Sequence, residues 1–171
     1  MNTVQGFYLF IRFRHLLKVI VFLPNISVGL TISSDFTKSI FMRRLCWEGV
    51  RVCQENVVRF RSENVEFLKK MRSALGDDFN MVFDVKQAIR SGYDPFYVLN
   101  EFKNDIVHIH LSDNTPEVDC MPPGRGTFDF RRLFDVMDSV DYKGGYVIEI
   151  YSKGYNVAEE LKLSKKYLEN L

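Results

Sequence analysis

Short apolar runs alternate with helix-like stretches along most of this chain, and this alternation limits the fold more than any other feature. The runs most typical of strands are Val50–Val57, Asn80–Val85, Ile106–Leu111 and Tyr146–Ile150. Strands that are separated by helices pair in parallel, because a helix can carry the chain back across the sheet. The sequence therefore predicts an α/β protein with a parallel sheet.

The same alternation extends towards both ends of the chain. An additional strand is predicted at Lys18–Leu23, which gives about five βα units in a single domain covering residues 1–171. Gly76 is expected to end one helix, Asp94-Pro95 to begin another, and Asn156 with Glu159 to form a capping box at the last. The predicted helices are Ser34–Glu48, Ser62–Leu75, one that begins at Asp94-Pro95, Asp129–Val140, and one from Asn156 to Leu171.

Composition excludes several classes of protein. The chain has 171 residues, 46% of them apolar and 26% charged, with a net charge of +1, so it lacks the basic excess of a nucleic-acid binder. Charged residues interrupt the apolar residues 7–31, so no membrane span is expected. Three cysteines without motif spacing predict no disulfide framework and a cytoplasmic location.

Four candidate metal ligands lie near the ends of the four clearest strands: Glu55, Asp84, His110 and Glu149. In a β/α barrel the carboxyl ends of the strands meet on one face, which carries the chemistry. Three carboxylates and one imidazole on that face would form a site for a hard divalent cation.

Each candidate ligand also has a simpler explanation when it is considered alone. Glu55 is explained by a salt bridge or a cap, Asp84 by capping of the following turn, and His110 by a satisfied core position. Glu149 is the hardest to explain in this way, because a carboxylate among apolar residues is costly unless it is paired or binds a metal. The four equivalent positions together favour the metal site.

Several segments resemble one known family in order and spacing. They are Gly49-Val50 with Glu55-Asn56, Gly92-Tyr93-Asp94-Pro95, the run His108–Asp113, Pro123-Gly124-Arg125-Gly126 with Phe128, and Tyr142-Lys143-Gly144-Gly145 with Glu149. From Ser34 to Leu171 the chain resembles the xylose isomerase-like TIM barrels. These include sugar-phosphate isomerases and epimerases, ketose 3-epimerases and class II apurinic endonucleases.

The resemblance implies an activity and a cofactor. It implies a metal-dependent isomerase or epimerase of a sugar or sugar phosphate, with Glu55, Asp84, His110 and Glu149 holding one divalent cation. Glu55 and Glu149 would also be the two bases that pass a proton through an enediolate. Mn²⁺ or Mg²⁺ suits this ligand set, with Zn²⁺ or Co²⁺ as alternatives.

Substrate contacts are expected from Lys86, Gln87, His108 and Arg125. Gln87 stands where many family members have a histidine, which argues against the trinuclear zinc endonucleases. Lys86 is interpreted as a surface lysine, or else as a cation that neutralises a phosphate or carboxylate. Arg125 is either a substrate contact in the long loop Ser112–Thr127 or a solvated side chain.

Length is the main departure from the family. A complete barrel has eight βα units, so this chain is expected to be a partial (β/α)8 TIM barrel that lacks the first three, with residues 1–15 unassigned. Lys18–Leu23 and Tyr146–Ile150 would then be open edges that promote self-association. An inactive truncated barrel, or a metal-dependent hydrolase, lyase or endonuclease on the same site, remains as an alternative function.

Overall fold

The computed structural model of the chain describes residues 17–23, 26–32, 51–150 and 156–171. These residues belong to two compact units, residues 1–82 and residues 83–171. The predicted helix Ser34–Glu48 and the unassigned residues 1–15 lie outside the described residues.

The described residues of the first unit include three complete strands and one long helix. They are β1 (Leu17–Leu23), β2 (Ile26–Ile32), β3 (Arg51–Glu55) and α1 (Val65–Leu75). β1 pairs with β2 and with β3, and both pairs are antiparallel. β3 pairs in parallel with the start of β4 (Met81–Asp84), so that Glu55 lies opposite Val82.

The direction and position of the first strand correct the sequence-based prediction. Lys18–Leu23 is a strand, but the prediction that it runs parallel to the next strands is wrong, and so is the prediction that it is an open edge. Only Pro24 and Asn25 separate β1 from β2, whereas a parallel connection needs a dozen or more residues. β2 was not predicted, because Ile26–Ile32 was treated as part of one interrupted apolar segment.

The second unit alternates helices with strands. Its helices are α2 (Val85–Arg90), α3 (Pro95–Phe102), α4 (Phe130–Asp138) and α5 (Val157–Glu169). β5 (Ile106–Leu111) pairs in parallel with β6 (Gly145–Ile148), as predicted for these two strands. Its core consists of buried apolar side chains, among them Phe83, Leu99, Phe102, Ile109, Leu133 and Met137.

Capping explains where most of these helices begin. Asn64, Asp94 and Asp129 each accept a hydrogen bond from a backbone N–H in the first turn of α1, α3 and α4. The predicted start at Asp94-Pro95 is confirmed. Asn156 stands before α5, but its side chain makes no capping hydrogen bond, so the predicted capping box is wrong in that half.

Two further features complete the fold. Gly76 has φ of +56° and ends α1, at the predicted residue. None of the helices in the described part of the chain is long and apolar enough to cross a membrane.

Candidate metal centre

Three predicted ligands come together in the second unit. Asp84 is the last residue of β4, His110 lies on β5, and Glu149 directly follows β6. Each offers one ligand atom, and these atoms lie within 4.8 Å of one another. The three residues sit at carboxyl ends of strands, so strand direction explains why residues far apart in sequence form one cluster. A group of this composition can accept a metal ion.

Asp84 has a different partner at each carboxylate oxygen. Its Oδ1 accepts a hydrogen bond of 3.1 Å from the backbone N–H of Gln87 and so caps α2. Its Oδ2 lies 3.0 Å from Nζ of Lys86 and 3.6 Å from Nδ1 of His110. The capping role and the predicted place in a polar cluster therefore both apply to this residue.

Lys86 is part of the cluster. Its Nζ lies 2.8 Å from Oε2 of Glu149 as well as 3.0 Å from Oδ2 of Asp84, and its side chain is only 1% exposed. The interpretation of Lys86 as a surface lysine is therefore wrong. Its partners are carboxylates of the protein itself, and the alternative, a cation that neutralises a phosphate or carboxylate of a substrate, stays a prediction. A buried charge requires this kind of pairing.

Glu149 is held in its ionised form. Burial by itself would raise the pKa of its carboxyl group, but the close contact with His110 and the positive charge of Lys86 outweigh burial. The pKa of Glu149 is consequently well below its ordinary value. The distance from Oε2 of Glu149 to Nδ1 of His110 is 3.2 Å. Glu149 thus has the protonation state that a metal ligand or a base needs.

Glu55, the fourth predicted ligand, belongs to the first unit. It is the last residue of β3, and it is buried. In the β3–β4 register it lies opposite Val82, which is two residues before Asp84 in the chain. Its participation in a metal site stays a prediction.

The other predicted substrate contacts occupy different surroundings. The rings of His108 and His110 meet edge to face with centroids 5.3 Å apart. Gln87 is buried in the first turn of α2. The guanidinium of Arg125 makes two hydrogen bonds, of 3.1 and 2.9 Å, to the carboxylate of Glu160 on α5. The side chain of Arg125 is nevertheless 49% exposed, and its role as a substrate contact stays a prediction.

Asp113 organises the long loop, a role that the sequence analysis did not assign. Its carboxylate accepts hydrogen bonds of 2.8–2.9 Å from four backbone N–H groups, those of Asn114, Gly124, Gly126 and Phe128. A Cβ on Gly126 would run into the carbonyl of Asn114 and the carboxylate of Asp113. The sequence signal for this role was an aspartate followed within the same loop by two glycines. Aspartate side chains accept hydrogen bonds from the backbone in turns, and glycine lets the backbone approach closely.

This loop also contacts the cluster of Asp84, His110 and Glu149. The thiol of Cys120 donates to the backbone carbonyl of Glu149 over 3.5 Å. Asp119 pairs with Arg90 at the end of α2, with Oδ1 3.0 Å from Nη2. The loop is therefore attached both to α2 and to the segment that carries Glu149.

The family is decided by comparison with known proteins. A family model described as "Xylose isomerase-like TIM barrel" matches residues 43–171. The chain belongs to this family. The predicted fold class, an α/β chain forming part of a TIM barrel, is confirmed by that match and by the parallel strand pairs.

Curated relatives of this xylose isomerase-like chain include dehydratases. It is 30% identical over 88 residues to an inosose dehydratase of Bacillus cereus (strain AH820), a match that covers 41% of this chain and 30% of the relative. An inosose dehydratase of Histophilus somni (strain 129Pt) is 25% identical over 123 residues, which cover 60% of this chain and 41% of the relative. The chain thus spans less than half the length of these relatives.

Solved structures show the same fold. The 3-keto-D-glucoside 4-epimerase of E. coli has a TM-score of 0.64 at 18% identity, covering 77% of this chain and 50% of the epimerase. A probable 3-DHS dehydratase from Bacillus anthracis has a TM-score of 0.61 at 13% identity, covering 77% and 53%. At these identities the likeness concerns the fold alone.

Proposed function

We propose that this protein is a metal-dependent isomerase or epimerase of a sugar or sugar phosphate. The observation that carries the proposal is the cluster of Asp84, His110 and Glu149, whose ligand atoms lie within 4.8 Å of one another. The cluster combines hard oxygen donors with one imidazole, as Mn²⁺ and Mg²⁺ sites do, and Zn²⁺ or Co²⁺ also accepts such donors.

The proposed ligand set adds Glu55 to these three residues. The place of Glu55 at the carboxyl end of β3 supports its assignment, because functional side chains of such barrels lie at the carboxyl ends of strands. A divalent cation held there would supply Lewis acidity that polarises a carbonyl oxygen of the substrate.

Proton transfer is assigned to the two glutamates. Glu149 is ionised, so it can remove a proton from the carbon next to a substrate carbonyl. In the proposed mechanism Glu55 delivers a proton taken up from solvent to the opposite face of the resulting enediolate, which inverts the carbon, and Glu149 returns its proton to solvent before the next turnover. His108 and Gln87 are proposed to hold substrate hydroxyl groups, because both side chains carry hydrogen-bonding groups next to members of the cluster.

Dehydration is a second candidate reaction. It is favoured by the relatives that are named inosose dehydratases and by the similar fold of a probable dehydratase. The first step is the same, namely removal of a proton next to a carbonyl, and the outcome differs because a hydroxyl group then leaves as water. The two candidates therefore share the assignments of Glu149 and of the metal ligands.

Metal binding is the first test. Titration calorimetry with Mn²⁺ should show one site in the wild-type protein, and Asp84→Asn should abolish it. Asp138→Asn, which changes the exposed last residue of α4, is the matched control and should bind as the wild type does. Equal Mn²⁺ binding by Asp84→Asn and the wild type would exclude this site.

Turnover is the second test. With Mn²⁺ in deuterium oxide, a panel of ketoses, ketose phosphates, keto-glycosides and inososes should show deuterium incorporation at the carbon next to the carbonyl. Unchanged mass apart from deuterium indicates isomerisation or epimerisation, whereas loss of water indicates dehydration. Glu149→Gln should bind substrate but exchange no deuterium, and Glu117→Gln in the exposed loop is its control. Metal binding without any exchange would favour the non-catalytic alternative.

A further inference from the structure

The position of Lys86 has a consequence for the proposed metal site, and the inference drawn from it rests on that proposal. Lys86 contacts the carboxylate oxygens that face the cluster, Oδ2 of Asp84 and Oε2 of Glu149. These same oxygens are the ones nearest to Nδ1 of His110. The ammonium group and a metal ion would therefore use the same acceptors.

Asp84 cannot readily bind the Lys86 ammonium with one carboxylate oxygen and a metal ion with the other. Its Oδ1 already caps α2 through the backbone N–H of Gln87, and this bond holds the first turn of the helix. Lys86 lies within that turn, so its backbone is kept next to the cluster. Because its side chain is 1% exposed, the ammonium cannot simply turn into solvent while it keeps its place in the fold.

We infer that Lys86 is a built-in cation that competes with the divalent metal for Asp84 and Glu149 and thereby sets the metal affinity of the site. Without a metal ion, the single positive charge of Lys86 offsets part of the negative charge of the two carboxylates and stabilises the cluster. When a metal ion binds, Lys86 must give up contacts with those oxygens, and the two like charges repel each other. Lys86 thus lowers the affinity of the site for the metal ion, so that the bound ion exchanges more readily.

The inference predicts opposite effects on stability and on affinity. Removing the charge should leave the buried carboxylate of Asp84 and the partly buried carboxylate of Glu149 without their ammonium partner, so the metal-free protein should unfold at a lower temperature. The same change should tighten Mn²⁺ binding by roughly 10–100-fold, in the range typical of coupling between two sites. If Lys86 had a purely structural role, its replacement would lower stability without tightening Mn²⁺ binding.

The experiment compares Lys86→Met, Lys86→Gln and Lys86→Arg with the wild type. Lys86→Met keeps the length of the side chain, Lys86→Gln adds hydrogen-bonding groups if the methionine variant does not fold, and Lys86→Arg keeps the charge. Arg90→Met is the matched control, since it removes a cation one turn later on α2 that pairs with the partly exposed Asp119. Mn²⁺ affinity is measured by calorimetry at one fixed pH, and unfolding temperature with chelator and with Mn²⁺.

Each outcome decides the inference. Tighter Mn²⁺ binding by the uncharged variants, with the affinities of Lys86→Arg and Arg90→Met near that of the wild type, supports it. Binding by Lys86→Gln or Lys86→Met alone, with none by the wild type, also supports it. Equal or weaker binding by the uncharged variants overturns the inference and leaves the proposed metal site intact. Failure of all five proteins to bind Mn²⁺ overturns the metal site and the inference together.

Discussion

Asp84 and Asp113 are both 1% exposed and both lie in the second unit, yet their carboxylates are neutralised in different ways. Asp113 accepts hydrogen bonds from four backbone N–H groups, three in its own loop and the fourth at Phe128, directly after the loop. Asp84 accepts one backbone hydrogen bond and otherwise faces the side chains of Lys86 and His110. The first carboxylate is surrounded by the fixed main chain, and the second by groups that can move.

This difference separates a carboxylate that stabilises a loop from one whose partners could be replaced by another ligand. Backbone donors are set by the path of the loop, so another ligand could not replace them without unfolding Ser112–Thr127. The partners of Asp84 Oδ2 are the side chains of Lys86 and His110, and the metal ion of the proposed site would replace them at that oxygen without a change in the path of the backbone. Burial alone therefore does not distinguish these two carboxylates, but the nature of their partners does.

The largest effect is expected from Asp113→Ala. This change would leave four backbone N–H groups without their acceptor, and each buried donor that loses its partner is costly. We expect the free energy of unfolding to fall by about 2–4 kcal/mol, because some of the donors can reach water. Chemical denaturation measures the change.

Asp113→Asn is the matched variant for that experiment. It keeps the shape of the side chain but puts an NH₂ group where an acceptor is needed, so it should also be destabilised. If both variants were as stable as the wild type, the loop would not depend on this carboxylate, and the contrast with Asp84 would disappear.

The next largest effect tests how closely the loop surrounds Asp113. Gly126→Ala would place a methyl group against the carbonyl of Asn114 and the carboxylate of Asp113. We expect a loss of about 1–3 kcal/mol from this overpacking. Gly92→Ala is the control, because Gly92 has φ of +77° but nothing within 4 Å of the added Cβ. The control measures the cost of backbone strain alone, about 1 kcal/mol. A smaller loss of stability in Gly126→Ala than in the control would mean that the loop rearranges at little cost to accept the methyl group.

Glu149 shares with Asp84 the side-chain partners Lys86 and His110. The loss of protein stability in acid should therefore depend on the Glu149 carboxylate. Its pKa is lowered in the folded protein, so its contribution to stability is present above the pKa of an unfolded glutamate, about 4.3. That contribution is lost as pH falls below this value. In chelator, wild-type stability should decline more steeply than that of Glu149→Gln, by up to about 1.4 kcal/mol per pH unit. Parallel curves, measured by urea denaturation between pH 6 and about pH 3, would contradict the lowered pKa.

The smallest effect is expected at the surface. Asp119 and Arg90 form an ion pair in which both side chains are about one third exposed. The hydrogen bond from Arg90 lowers the pKa of Asp119, but water and salt screen the pair. Asp119→Asn should therefore cost less than about 1 kcal/mol, and added salt should reduce the difference. A loss of stability as large as that of Asp113→Ala would show that this ion pair stabilises the loop as much as the backbone hydrogen bonds to Asp113 do.

Local sequence patterns determined the helix ends and most of the strands. Asp94-Pro95 begins α3 and Gly76 ends α1 at the predicted residues, because capping and left-handed backbone depend on only a few neighbouring residues. Ile106–Leu111 is a strand with the predicted limits, since its apolar run has clear boundaries. α2 was not predicted, because its six residues are too few to show helical periodicity.

The candidate ligands were also accessible from the sequence. Asp84, His110 and Glu149 follow apolar runs at equivalent places, and the direction of parallel strands is enough to predict that such residues gather at one side. The motifs that surround them indicated the family, which the match over residues 43–171 confirms.

Tertiary structure alone decided the partners of the charged side chains and of the first strand. A lysine two residues after Asp84 looks the same in the sequence whether it is exposed or buried, and only packing places Lys86 between two carboxylates. Arg125 meets Glu160 from 35 positions away, and β1 pairs antiparallel with β3, from which β2 and residues 33–50 separate it in the chain. Local preferences act over a few residues, whereas these pairings depend on which distant groups the folded chain brings within a few ångströms.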